Sequence, residues 1–162
     1  MRAMGSLSGL LEEISEFLER LSEEARAGMP ILVEGQSDVR ALEELGVKGK
    51  IIALKTDGKR LVDVVERIER SPSEEIIILT DFDRAGRELA SSLAAELEGM
   101  GLRANLSYWR WLRTLVSSFT KDIEGLPSLV ETLMRKAGLR ARARWCERAG
   151  GGIDSCSIAS EV

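Results

Sequence analysis

The chain has no histidine. That removes imidazole as base, nucleophile partner or metal ligand, and with it Ser-His-Asp hydrolases and histidine-based zinc enzymes. Its two cysteines, Cys146 and Cys156, form no paired C-x-x-C arrangement, so zinc is not expected. Nor is a disulfide between them in a reducing compartment. No apolar run approaches the ~20 residues of a membrane span. Leu7 to Leu21 is interrupted by Glu12, Glu13, Glu16, Glu19 and Arg20, unlike a signal peptide. A cytoplasmic protein is expected. There is one Asn and one Gln beside many Glu and Arg, a composition leaning towards that of thermophiles.

What is present fits one domain of 162 residues with enough apolar content for a core. Three parts are expected: an N-terminal amphipathic helix within 1–28, an α/β domain over 29–138, and a basic, Gly-containing tail over 139–162 that is flexible. The net charge of −4 hides an asymmetry: residues 99–150 hold ten Lys/Arg and four Asp/Glu, leaving the remainder at −10. A basic half beside an acidic one suits contact with nucleic-acid phosphates; the plainer reading is arginines decorating exposed helices.

Leu7, Leu10, Leu11, Ile14, Phe17, Leu18 and Leu21 recur at helical steps and predict a helix over 6–25, ended by Gly28 and Pro30. Its apolar face packs on the sheet or receives a partner or second copy. A βα alternation follows. Strands are expected at Ile31–Glu34, Lys50–Leu54, Ile76–Thr80 and Leu102–Tyr108, with helices at Val39–Leu45, Asp57–Glu69 and Arg84–Met100. Ser37 is expected to cap the first of these helices. Trp109–Phe119 reads as a short helix or irregular crossover, and Lys121–Gly125 as a loop. Ser128 to Glu131 fits a capping box for a last helix ending near Ala137. Such alternation implies a parallel four-stranded sheet flanked by helices. Ligands of these sheets bind at the carboxyl ends of the strands.

Glu34, Asp81 and Asp83 lie at such ends. Converging carboxylates repel one another unless a cation sits between them, and hard oxygen donors suit Mg²⁺. Asp81 and Asp83, two apart, point the same way if the backbone stays extended. Capping of the next helix by Asp83 is compatible with that. Glu34 precedes Gly35 and a helix N-terminus, where a carboxylate can serve as general acid or base. Asp38 falls in the first turn of that helix, a favoured place for an acid in any protein; a supporting role at the site is the expectation. Lys55 and Lys59, near the end of the second strand, are candidate phosphate contacts, though solvated lysines are the commoner case. Trp109, Arg110, Trp111 and Arg113 form an aromatic-basic cluster suited to unpaired bases or to packing.

Val33-Glu34-Gly35-Gln36-Ser37-Asp38 together with Thr80-Asp81-Phe82-Asp83-Arg84-Ala85-Gly86-Arg87-Glu88 resembles the Toprim domain. That domain is shared by type IA and type II topoisomerases, bacterial primases, recombination-repair proteins, overcoming-lysogenization-type nucleases and the ribonuclease that matures 5S ribosomal RNA. Small stand-alone archaeal Toprim proteins look closest in size. The resemblance covers roughly Met29 to Tyr108 and implies a Rossmann-like Toprim fold. It implies Glu34 as general acid or base and partial metal ligand, and Asp81 and Asp83 as ligands of Mg²⁺, with Mn²⁺ able to substitute. Gly35 and Gly86 match turn glycines, and Asp38 an acidic position of the first motif. Lys121-Asp122-Ile123-Glu124 resembles the lysine-acidic segment of the 5S-maturing ribonuclease, which makes Asp122 and Glu124 additional acidic candidates and Lys121 a phosphate contact.

The chain departs from the larger Toprim enzymes. It shows no winged-helix or zinc-binding segment, and Tyr108 is placed at a strand end rather than on a separate domain as topoisomerase chemistry needs. These departures favour a small nuclease or RNA-processing component acting on RNA or DNA. Two rivals stay open: a non-catalytic metal-binding module for nucleic acid or a protein partner, and an aspartate-based phosphatase using Asp81-x-Asp83. The latter leaves Glu34 without work and has Ala85 where such enzymes carry Thr or Val.

Overall fold

The computed structural model describes residues 6–55, 63–66 and 74–137. Elements run α1 (Leu7–Arg26), β1 (Ile31–Val33), α2 (Gln36–Glu44), β2 (Ile51–Ala53), β3 (Glu75–Leu79), α3 (Arg84–Gly99), β4 (Arg103–Asn105), α4 (Ser107–Val116) and α5 (Leu126–Ala137). Residues 63–66 are helical and bury Val64 and Val65. The rest of the helix expected over Asp57–Glu69, Lys59 included, lies outside the described residues, as do Cys146, Cys156 and the 139–162 tail.

The four strands are parallel, in the order β2-β1-β3-β4. This is the α/β Toprim architecture expected, with the helix before β1 added. Alternation of side chains along the strands separates two cores. Ile31, Val33, Ile77 and Leu79 face α1, α2, α4 and α5. Leu32, Ile76 and Ile78 face α3 and the 63–66 turn. With β1 and β3 both internal and their apolar residues almost fully buried, the uninterrupted Ile-Leu-Val runs are explained.

α1 buries Leu11, Ile14, Phe17, Leu18 and Leu21, and it packs chiefly on α4 and α5. Most of its apolar stripe is thus buried within the chain, chiefly against these two helices. Phe17 lies edge-on to Tyr108 and Trp111, with ring centroids 5.9 and 5.2 Å apart. Gly28 (φ +100°) and Gly46 (φ +91°) end α1 and α2 in left-handed backbone that a side chain would strain.

Several boundaries differ from the sequence expectation. β4 stops at Asn105, so Tyr108 does not end a strand; it stands in the first turn of α4. Asn105 Oδ1 accepts the Ser107 N–H at 2.9 Å, ending the strand and admitting the helix. α2 starts at Gln36, with Gly35 rather than Ser37 in the cap position. α5 starts at Leu126, before the expected Ser128 cap, because Pro127 needs no N–H partner in a first turn.

Candidate functional site

The register builds the site. Val33 pairs with Ala53 on one side and Leu79 on the other. One residue further, Glu34 stands level with Leu54 and Thr80, and Asp81 comes next. The Asp81 N–H makes a long 3.5 Å contact to Glu34 Oε1 across 47 residues. The Lys55 N–H donates to the Glu34 carbonyl at 2.8 Å. Glu34 and Asp81 are half-buried and Asp83 is exposed.

The turn 80–86 is tightly restrained. The Asp83 Oδ1 accepts the Gly86 N–H at 2.7 Å and caps α3. The buried Thr80 hydroxyl donates to the Gly86 carbonyl at 2.7 Å, while the Thr80 carbonyl accepts the Trp109 indole N–H at 3.0 Å. A Cβ on Gly86 would collide with the Asp81 backbone, so a close approach of chain to chain demands glycine there. Gly35 differs. Its φ of −143° is ordinary extended backbone, and a Cβ would meet nothing within 4 Å.

Asp38 is buried, 7% exposed, and its Oδ2 accepts the Gly35 N–H at 3.1 Å. Burial raises its pKa, opposed by the Gly35 and Glu124 backbone N–H groups and reinforced by the charges of Glu124 and Asp122. Asp81 is pushed up to about 6, first by burial and then by the Glu34 charge, with Asp38 and Asp122 adding to it. The Ile123 N–H, 3.3 Å from Asp81 Oδ1, works the other way.

The loop after α4 therefore belongs to the site. Besides the Ile123 and Glu124 amides, its Lys121 carbonyl accepts the Phe82 N–H at 2.7 Å. Asp122 acts within the loop: its Oδ1 accepts the Gly125 N–H at 2.7 Å. A Cβ on Gly125 would strike Thr120 Oγ1 and Asp122 Oδ1. The sequence suggests Trp109 as a group that stacks on bases or packs, not as one that holds the Thr80 carbonyl, and it does not single out the Thr80 hydroxyl, the Ile123 amide or Gly125. Only Gly125, following Lys-Asp-Ile-Glu, carried a local signal.

The structure thus brings Glu34, Asp38, Asp81, Asp122, Glu124 and the Lys121 backbone to one edge, with Lys55 and Asp83 beside them. It does not bring the tryptophans there as stacking faces. Trp109 is buried between Thr80 and Arg113, whose guanidinium lies 5.5 Å from its ring. Trp111 packs on Phe17 under Arg20. Arg110 remains exposed on α4.

Whether a divalent cation fits can be judged from the donors. They are carboxylate oxygens, the set hard cations prefer, and their mutual repulsion at Asp81 is what a cation relieves. Among the described residues, however, no three acidic or cysteine side chains stand close enough to enclose an ion. The donor chemistry fits a hard cation, with Glu34, Asp81 and Asp83 as the residues that would hold it.

A parallel sheet with an acidic carboxyl edge built from Glu34 and the Asp81-x-Asp83 turn defines a Toprim protein, and the Toprim domain matches residues 30–109. Among relatives, a UPF0292 protein of Methanosarcina barkeri is 38% identical over 79% of this chain and 87% of its own. One of Methanocaldococcus jannaschii is 37% identical over 74% of this chain and 91% of its own. The chain belongs to this UPF0292 family. A solved structure, a putative protein from Aquifex aeolicus, superposes with a TM-score of 0.59 at 29% identity, over 68% of this chain and 95% of that one. No helix among the described residues is long and apolar enough to cross a membrane.

Proposed function

We propose that this protein hydrolyses phosphodiester bonds in nucleic acid with the help of a divalent cation, as a small Toprim nuclease or RNA-processing component. One observation carries the reading: Glu34 and Asp81, 47 residues apart, meet across adjacent strand ends, and the Glu34 charge helps raise Asp81 to about 6. Asp81, Asp83 and Glu34 would hold the ion, Mg²⁺ by preference with Mn²⁺ as a substitute. When bound, the ion supplies polarisation of a non-bridging phosphate oxygen and offsets developing charge.

The chain's own residues do the rest. Glu34 accepts a proton from the attacking water at a carboxylate oxygen, or returns one to the leaving oxygen. The Ile123 and Glu124 amides keep Asp81 and Asp38 oriented. Asp83 ties the turn to α3, whose N-terminus favours negative charge nearby. Exposed Lys55 and Lys121, from two different elements flanking the carboxylates, attract the phosphate backbone.

The test incubates purified protein with labelled structured RNA, single-stranded DNA and duplex DNA in Mg²⁺ or Mn²⁺. Glu34→Gln, which keeps the side-chain shape, is expected to lower cleavage about 10²–10⁴-fold. Cleavage surviving that substitution would assign the activity elsewhere. Salt-sensitive binding without any cleavage by the wild type would favour the binding-module reading.

A further inference from the structure

The loop between α4 and α5 is fixed to the acidic turn at several points, yet two side chains at its start face solvent. Lys121 is exposed, and Phe119 is 55% exposed. The large hydrophobic residues exposed among the described residues are Leu7, Met100 and Phe119. Single exposed apolar residues are ordinary, but these three differ in setting. Leu7 begins α1 and Met100 follows α3. Phe119 alone is aromatic, and it lies two residues before the carbonyl that holds Phe82. Its own backbone is pinned too: the N–H groups of Phe119 and Thr120 both donate to the Val116 carbonyl at 2.9 Å.

Two residues of chain span at most about 7 Å. A ring and an ammonium so spaced, on a loop bonded to the Asp81-Phe82 backbone, are within one nucleotide's reach of each other. The backbone that carries both is bonded to the acidic turn through the Lys121 carbonyl. Trp109 is buried and Trp111 is packed against Phe17 under Arg20, so Phe119 is the exposed large aromatic among the described residues. Charge complementarity names the occupant. Arg110 is exposed on the preceding helix, and Lys121 follows the ring.

We propose that Phe119 and Lys121 form a subsite for one unpaired nucleotide next to the phosphate under attack, the base lying on the Phe119 ring and its phosphate against the Lys121 ammonium. The proposal rests on the nucleic-acid reading above and narrows it to a substrate class: single strands, or the unpaired ends and loops of folded ones. A duplex keeps its base faces stacked within the helix, so the ring has nothing to receive from it.

The test measures fluorescence anisotropy of the full chain with labelled 12-nucleotide RNA and DNA single strands and with a blunt, fully paired duplex of the same length, in EDTA so that nothing is cut. Phe119→Ala is expected to weaken single-strand binding by roughly 5- to 100-fold and duplex binding by less than about twofold. Phe119→Trp restores single-strand affinity. Lys121→Ala weakens both and lowers the salt slope by about 0.7–0.9, the loss of one phosphate contact. Single-strand affinity unchanged in Phe119→Ala, or lost equally for the duplex, overturns the subsite while salt-dependent binding by the wild type leaves the nucleic-acid reading standing. A shift in sedimentation on Phe119→Ala would assign the ring to a protein contact and overturn the subsite as well. A wild type that binds no oligonucleotide overturns the subsite, while the nucleic-acid reading is decided separately by the cleavage assay in Mg²⁺ or Mn²⁺.

Discussion

Gly86 and Gly35 look equivalent in the two motifs, but their surroundings separate them. A methyl at Gly86 meets the Asp81 backbone, including its Cα at 2.9 Å, and backbone cannot swing aside. Gly86→Ala is expected to lower stability by about 1–3 kcal/mol, while Gly35→Ala, opening into free space, costs less than ~1 kcal/mol through its poorer N-cap. Urea unfolding of the two variants side by side checks the ranking. Asp81 gives a pH prediction. Its pKa rises from an ordinary 3.8 to about 6 on folding, so between those values the folded state binds more protons than the unfolded one. Stability therefore falls as pH rises from about 4 to about 6, and the deficit persists above. Asp81→Asn removes the charge and keeps an oxygen for the Ile123 N–H. In the absence of divalent cations it should raise stability at pH 7–8 by on the order of 1 kcal/mol, after discounting for solvent exposure, with no gain below pH 4. A flat difference between pH 4 and pH 8 in thermal melts would contradict the raised value.

Among the elements, α1 and the α4–α5 loop acquire roles that short-range patterns do not display. The heptad-like leucines announce an amphipathic helix, yet nothing local says whether its apolar face meets the sheet, other helices or a partner. Phe17, fully buried between Tyr108 and Trp111, answers that. Phe17→Ala should cost about 3–5 kcal/mol in a urea titration. A loss under 1 kcal/mol would mean that α1 is not docked as described. α4 carries Phe17's partners on one face and Trp109 on another, so the helix that anchors α1 also holds the Thr80 carbonyl behind the acidic turn. The loop following it looks in sequence like a solvated charged connection. Its grip is backbone amides and a carbonyl, which every residue type possesses, so no choice of residue advertises the contact.

At the scale of the whole molecule, the layered α/β/α packing leaves one sheet edge where like charges crowd. That crowding is tolerated at some loss of stability, and a divalent cation should recover it. For a millimolar dissociation constant, 10 mM Mg²⁺ or Mn²⁺ contributes about 1.4 kcal/mol, a rise in Tm of about 3–5 °C for a domain of this size. The rise should be present at pH 7–8, shrink at pH 5 as Asp81 takes up a proton, and vanish in Asp81→Asn/Asp83→Asn. Scanning calorimetry with and without the cation tests this independently of catalysis. An equal rise in the double variant would place the cation elsewhere.

The sequence by itself determined the order and kind of the elements and the strand exits carrying Glu34, Asp81 and Asp83. Periodicity and the reach of a strand are local, and a parallel sheet leaves the ends of its strands on one side. Only the tertiary structure decided which groups meet there: Trp109 drawn into the interior behind Thr80, and Asp38 and Asp81 held by amides from a loop some 40 to 90 residues further along. Those outcomes depend on register and on which helices fill each face of the sheet, and both are settled by packing between segments far apart in the chain.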